Sequence, residues 1–206
     1  MTLADRLTFA RIILSPVFFM VYFYAPGRGP VTTAVLWLLF AAIEFSDLLD
    51  GMVARKSNSV SSFGKLFDPF ADVFARITYF VCFAFSGVMP LWAFLVILYR
   101  EFGILFLRLL LAVRGIAMGA RPGGKAKAVV YMGAGAVSLY SVTSGLAGVP
   151  AGNAGTLQWV LSAFYVAAVI LAVASFMDYL VQYRRLISSD SASKRPVLTG
   201  KSDPMH

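Results

Sequence analysis

Four carboxylates stand close together in a chain with few acids: Asp47, Asp50, Asp68 and Asp72, within SDLLDGMVARKSNSVSSFGKLFDPFADVF from Ser46 to Phe74. A carboxylate in apolar surroundings is costly unless it meets a cation, a partner or water, and four together point to a bound metal. Asp47 and Asp50 are three apart, and Asp68 and Asp72 four apart, so each pair shares one face of a helix. If one pair ends a helix and the other begins the next, all four converge across a helical hairpin. Hard divalent cations such as Mg²⁺ take carboxylate oxygens. Gly51, Ala54 and Gly64 carry little or no side chain and let a bulky ligand approach the backbone. Arg55 has the fork of donors that holds a phosphate. A carboxylate-bound metal pair beside small residues and an arginine is equipment for phosphoryl chemistry, with Asp72 as general base on an incoming hydroxyl. Any one of these aspartates taken alone reads equally well as a solvated helix end; the combined pattern does not.

The elements that must position this stretch are apolar. Of 206 residues, 59% are hydrophobic and 14% charged, and the mean hydropathy is +0.78, which predicts an integral membrane protein. At about 20 residues per span, the apolar runs predict six transmembrane helices, near 8–24, 31–50, 64–89, 90–113, 128–146 and 156–182, with no room for a separate soluble domain. The fold class expected is all-α, six transmembrane helices around a cytoplasm-facing polar cavity. Residues 1–187 form the membrane domain and 188–206 a flexible polar tail. The first run continues to Tyr24 without a small-residue cleavage site and is expected to stay as a span. Cys82 is the single cysteine, excluding an internal disulfide, and the single histidine is His206, which disfavours histidine catalysis.

Charges inside the spans need partners. Arg11 is either a topology anchor that snorkels to the interface or a phosphate contact. Glu44, on the face of Asp47, is open between an outer partner of the metal site and a protonated interior residue. Arg76 follows Asp72 by four, the spacing of an intrahelical ion pair. Arg100, Glu101 and Arg108 must face a polar cavity or one another. The connection from Arg114 to Lys127 is dense in glycine and base, which suits an anion and equally a cytoplasmic loop. Six spans put the basic loop residues on one side of the membrane and leave Arg28 on the other, so both termini and the aspartates are expected in the cytoplasm. Topology thereby accounts for the net charge of +8 without a nucleic-acid partner.

Asp47, Asp50, Gly51, Ala54, Arg55, Gly64, Asp68 and Asp72 match DxxDGxxARx8GxxxDxxxD position for position, the signature of the CDP-alcohol phosphatidyltransferases, which the chain resembles. The resemblance implies a six-helix membrane fold, usually homodimeric, with two divalent cations, Mg²⁺ or Mn²⁺. Asp47, Asp50 and Asp68 would be metal ligands, Asp72 ligand or base, and Gly51, Ala54, Arg55 and Gly64 the site of the CDP moiety. Further matches at Leu7-Thr8 with Arg11, Phe63-Gly64-Lys65, Asp68-Pro69-Phe70-Ala71-Asp72, Arg100-Glu101, Arg108 and Gly124-Lys125-Ala126-Lys127 are similar to the branch that forms phosphatidylglycerophosphate. That branch uses CDP-diacylglycerol and sn-glycerol 3-phosphate and releases CMP. The chain departs from it at Asp5, Val73 and Ala128, departures that bear on the acceptor. Arg108, Arg114, Lys125 and Lys127 are the cations available for an acceptor phosphate. The alternatives are another acceptor, inositol phosphate first, then phosphatidylglycerol, serine, or diacylglycerol with a CDP-choline-type donor. From another class comes a divalent-cation transporter, against which the clustering of acids toward one face argues.

Overall fold

A computed structural model describes residues 3–25, 29–57, 64–116, 123–146 and 154–193. Those residues form six α-helices and no strand: α1 (Leu3–Tyr24), α2 (Pro30–Ser57), α3 (Gly64–Phe85), α4 (Leu91–Val113), α5 (Gly123–Leu146) and α6 (Ala154–Ser193). Helix starts and stops follow local chemistry. Pro30 opens α2 and Pro90 is the N-cap of α4, positions where a missing N–H costs nothing. Gly87 and Gly115 adopt φ of 73° and 74°, the left-handed conformation that glycine enters without a Cβ penalty. After α3, Gly87 N–H bonds Ala84 and Val88 N–H bonds Phe83; after α4, Gly115 bonds Ala112 and Ile116 bonds Leu111. Both are Schellman closures that satisfy the last carbonyls.

Four helices run further than the apolar runs predict, α1 beginning at Leu3 rather than near residue 8. Helix α2 continues beyond Asp50 to Ser57, so Gly51, Ala54 and Arg55 are helical. Helix α5 begins at Gly123 and includes Lys125 and Lys127. Helix α6 reaches Ser193, six residues into the segment expected as a tail. Hydropathy detects where a span is apolar, whereas the backbone ladder continues through polar residues until a breaker intervenes.

Helix α1 packs on both α2 and α3, α5 and α4 each pack on α6, and α3 joins the two halves by packing on α4 and α5. The core is an aromatic column: Phe40 meets Tyr79 at 5.4 Å between ring centroids, Tyr79 meets Phe80 at 4.7 Å, and Phe80 meets Tyr131 at 5.7 Å. Gly135 lets α5 close on this column, since a Cβ there would lie 2.9 Å from the Phe40 ring. Gly135→Leu is therefore expected to cost about 1–3 kcal/mol through overpacking, read as a lower unfolding temperature of the purified protein in detergent.

The outer surface is apolar: Trp159, Phe85 and Val113 are each about 80% exposed, a pattern that marks a lipid or partner surface. Among the described residues two segments, Arg6–Tyr24 and Gly155–Ser189, are long and apolar enough to cross a membrane. Helix α6, at 40 residues, spans about 60 Å at 1.5 Å per residue. Helices α3 and α4 are instead interrupted by charges, and those charges build the site.

Candidate active site

Successive helices alternate in direction, so the first halves of α1, α3 and α5 meet the second halves of α2, α4 and α6 at one end of the bundle. The polar residues of the apolar helices gather there. Thr8 on α1 donates its hydroxyl to Asp68 Oδ1 at 2.7 Å. Arg11, 1% exposed, pairs through Nη1 with Asp72 Oδ1 and donates Nε to Ser46 Oγ on α2 at 3.1 Å. Arg11 is thus buried rather than snorkelled to an interface, and it ties α1 to α2 and α3. Both orientations arise because Thr8 and Arg11 are three apart and share the face of α1 that meets the start of α3.

Helix α1 packs closely on both helices that carry the aspartates, α2 and α3. Between α2 and α3 the described contacts are side-chain ones, the Phe40–Tyr79 ring pair and a bond from Tyr79 OH to Glu44 Oε1 at 3.0 Å. Glu44 is thereby an interior acceptor. The backbone of Asp47 and Asp50 lies in α2, and Gly64 opens α3. The side chains of Asp47, Asp50, Ala54, Arg55 and Lys125, and the surroundings of Gly51 and Gly64, lie outside the described residues. Among the described residues no group of three metal-type ligands forms, with two of the four carboxylates outside them.

Beside Asp72 lies a cavity of about 220 Å³. Helix α3 contributes Pro69, Asp72, Val73 and Arg76; α4 contributes Arg100, Glu101, Ile104, Leu105 and Arg108; α5 contributes Lys127 and Ala128; and α6 contributes Tyr179. Arg108 donates to Tyr179 OH at 2.8 Å, its guanidinium carbon 5.5 Å from that ring's centre. Arg100 donates Nε and Nη2 to Ser175 Oγ at 3.1 and 2.9 Å. Glu101, 3% exposed, accepts from Arg100 Nη1 at 2.9 Å and from Lys127 Nζ at 2.6 Å. The charges of α4 therefore face a cavity and one another, both of the arrangements that burial in an apolar helix allows. Among the described residues, four cations, Arg76, Arg100, Arg108 and Lys127, line the cavity against two carboxylates, Asp72 and Glu101.

The cavity thus brings Arg108 and Lys127 together with Asp72. Arg114 is exposed at the C-cap of α4, about 9 Å along the axis from Arg108, and is not among the lining residues. Ser46, Ser175 and Tyr179 were not singled out by sequence reasoning. The one signal available for the last two is their separation by four, which marks one face of α6.

Comparison with known proteins addresses the same residues. The sequence model described as CDP-alcohol phosphatidyltransferase matches residues 1–163, extending the likeness beyond Lys127 through α5 and into α6. A Treponema pallidum protein named CDP-diacylglycerol–glycerol-3-phosphate 3-phosphatidyltransferase is 42% identical over 195 residues, covering 87% of this chain and 88% of the relative. A Mycobacterium tuberculosis protein named probable phosphatidylglycerophosphate synthase is 32% identical over 89% of this chain and 82% of its own length. A Bacillus subtilis protein with the same name as the Treponema protein is 36% identical over 61% of this chain and 69% of its own. The relatives are transferases, which removes the transporter reading of the buried acids. With the signature spread over α2 and α3 and the match carried through most of the bundle, the chain belongs to the CDP-alcohol phosphatidyltransferase family.

Proposed function

We propose that this enzyme transfers the phosphatidyl group from CDP-diacylglycerol to sn-glycerol 3-phosphate, yielding phosphatidylglycerophosphate and CMP. The names of its relatives support the reaction. The observation that carries the acceptor is the cavity in which Arg108 and Lys127 stand beside Asp72. Buried charge must be offset, and a wall with four cations against two carboxylates is complemented by a phosphate monoester dianion. Serine or diacylglycerol brings no such charge.

The family uses a CDP-alcohol donor and an alcohol acceptor and depends on divalent cations. The residues fit such a cation. The donor set is four carboxylates, the preference of hard ions, and Thr8 and Arg11 hold Asp68 and Asp72 as outer partners hold ligands elsewhere. Asp47, Asp50, Asp68 and Asp72 would bind two Mg²⁺ or Mn²⁺ ions. Bound there, the metals supply charge neutralisation at the pyrophosphate and at the departing oxygen.

The chain does the rest. Gly51, Ala54 and Gly64 admit the CDP moiety to the backbone, and Arg55 holds one of its phosphates. Arg108 and Lys127, with Lys125 and Arg114, hold the acceptor phosphate. Asp72 takes the proton of the acceptor hydroxyl as that oxygen bonds to the lipid-side phosphorus. The phosphorus–oxygen bond to CMP breaks, CMP leaves, and Asp72 releases its proton to solvent. All six helices span the cytoplasmic (inner) membrane in this reading, within a membrane domain of residues 1–187. The cavity, both termini and the 188–206 tail lie on the cytoplasmic side, and the enzyme works as a homodimer.

Purified protein given CDP-diacylglycerol is expected to release CMP with glycerol 3-phosphate, to stop on chelation, and to resume with Mg²⁺ or Mn²⁺. Inositol phosphate is the competing acceptor because it carries the same charge. Faster CMP release with inositol phosphate, phosphatidylglycerol or serine than with glycerol 3-phosphate would displace the proposed reaction.

A further inference from the structure

Glu101 is a carboxylate in the wall of a cavity that is read here as taking an anion, and on charge alone it opposes that ligand. Its two oxygens are both occupied: Oε1 by Lys127 at 2.6 Å and Oε2 by Arg100 at 2.9 Å. The two cations differ in what they have left. Arg100 is committed to α6, with Nε and Nη2 on Ser175 Oγ, and Ser175 is anchored on Ala172 O at 3.0 Å. Lys127 has three donors, of which one goes to Glu101 while the ammonium stands 5.0 Å from the centre of the Tyr131 ring. Two N–H groups are left for an oxygen anion in the cavity that Lys127 lines.

We infer that Glu101 is a positioning residue: braced through Arg100 on α6, it holds the Lys127 ammonium on the cavity wall in the orientation that receives the acceptor's phosphate. The inference rests on the acceptor reading above. A lysine side chain is flexible and strongly hydrated. Fixing it before the anion arrives removes an ordering cost from binding. The same contacts silence the carboxylate, because each of its oxygens already accepts from a cation. As a device for stability alone the group is poor, since a buried ionic triad is commonly matched or bettered by apolar side chains of the same volume.

The test is steady-state kinetics on the full chain in detergent micelles with CDP-diacylglycerol and divalent cation. Glu101→Gln is expected to raise KM for glycerol 3-phosphate about tenfold or more, the size of a lost charge-assisted contact. KM for CDP-diacylglycerol and kcat at saturating acceptor stay within about threefold, a split that general unfolding would not give. Lys127→Met is expected to raise the acceptor KM similarly, and the double variant to be no worse than the worse single, because both changes remove one interaction. If Lys127→Met leaves the acceptor KM unchanged, the acceptor site itself is misread. If Lys127→Met raises it while Glu101→Gln leaves it unchanged or lowers it, or if the two effects multiply, Glu101 does not act through Lys127 and the inference falls. Should Glu101→Gln fail to fold, Glu101→Asp keeps the charge and shortens the reach; a several-fold rise in acceptor KM supports the inference, and an unchanged value overturns it.

Discussion

Asp72→Asn is expected to lower kcat about a thousandfold while the protein stays folded. The substitution keeps size and hydrogen-bonding capacity and removes the proton acceptor. A positioned general base contributes typically 10²–10⁴-fold, and loss of a metal-binding oxygen adds to this. Asp72 is suited to the role by position: it lines the 220 Å³ cavity, its side chain is 26% exposed, and Arg11 orients one of its oxygens. The measurement is CMP release at saturating substrates, beside helix content by circular dichroism. Turnover within tenfold of the unaltered enzyme would remove Asp72 from the chemistry and return the base to one of the other three aspartates.

Arg11→Met is expected to destabilise the fold measurably. Removing one partner of a buried ion pair costs about 3–5 kcal/mol. Asp72 keeps some contact with solvent, so the lower end applies, read as roughly 6–12 °C in unfolding temperature for a chain of this size. Arg11→Lys restores less than half of the loss, since a point charge cannot reach both Asp72 and Ser46 as the guanidinium does. Divalent cation should raise the unfolding temperature of Arg11→Met by more than that of the unaltered protein, because the ion and Arg11 offset the same carboxylate. An unchanged unfolding temperature in Arg11→Met would show that the pair contributes nothing to the fold.

The helices were legible wherever a long apolar run announced them, as were the ends at Tyr24, Gly64, Val113 and Leu146, but the polar ends of α2, α5 and α6 were not. Lys125 and Lys127 read as loop residues because they are basic and follow glycines, yet they belong to the first turns of α5. Gly51 and Arg55 lie beyond the run predicted to end near residue 50, yet α2 carries them for two more turns. Polarity marks where a helix leaves apolar surroundings, and only a breaker or an unsatisfied cap marks where it stops. Arg76 and Arg11 illustrate a second limit. The spacing of four marks Arg76 as a neighbour of Asp72 on α3, but nothing local announces that Arg11, 61 positions away, meets the same carboxylate.

The sequence by itself determined the chemistry on the donor side and the family. The signature from Asp47 to Asp72 is local, its meaning resides in residue types at fixed gaps, and composition needs no coordinates to predict apolar helices. Tertiary structure alone decided which charges meet: Arg11 with Asp72, Glu101 with Lys127, and Arg108 with Tyr179. The physical reason is that helical periodicity identifies neighbours three or four apart on one face but carries no information about which face another helix covers. That choice falls to close approach, as where Gly103 leaves room for Phe176 and Gly135 for Phe40. Such packing contacts, between residues far apart in sequence, bring four helices to one cavity and set Lys127 beside Glu101 on its wall.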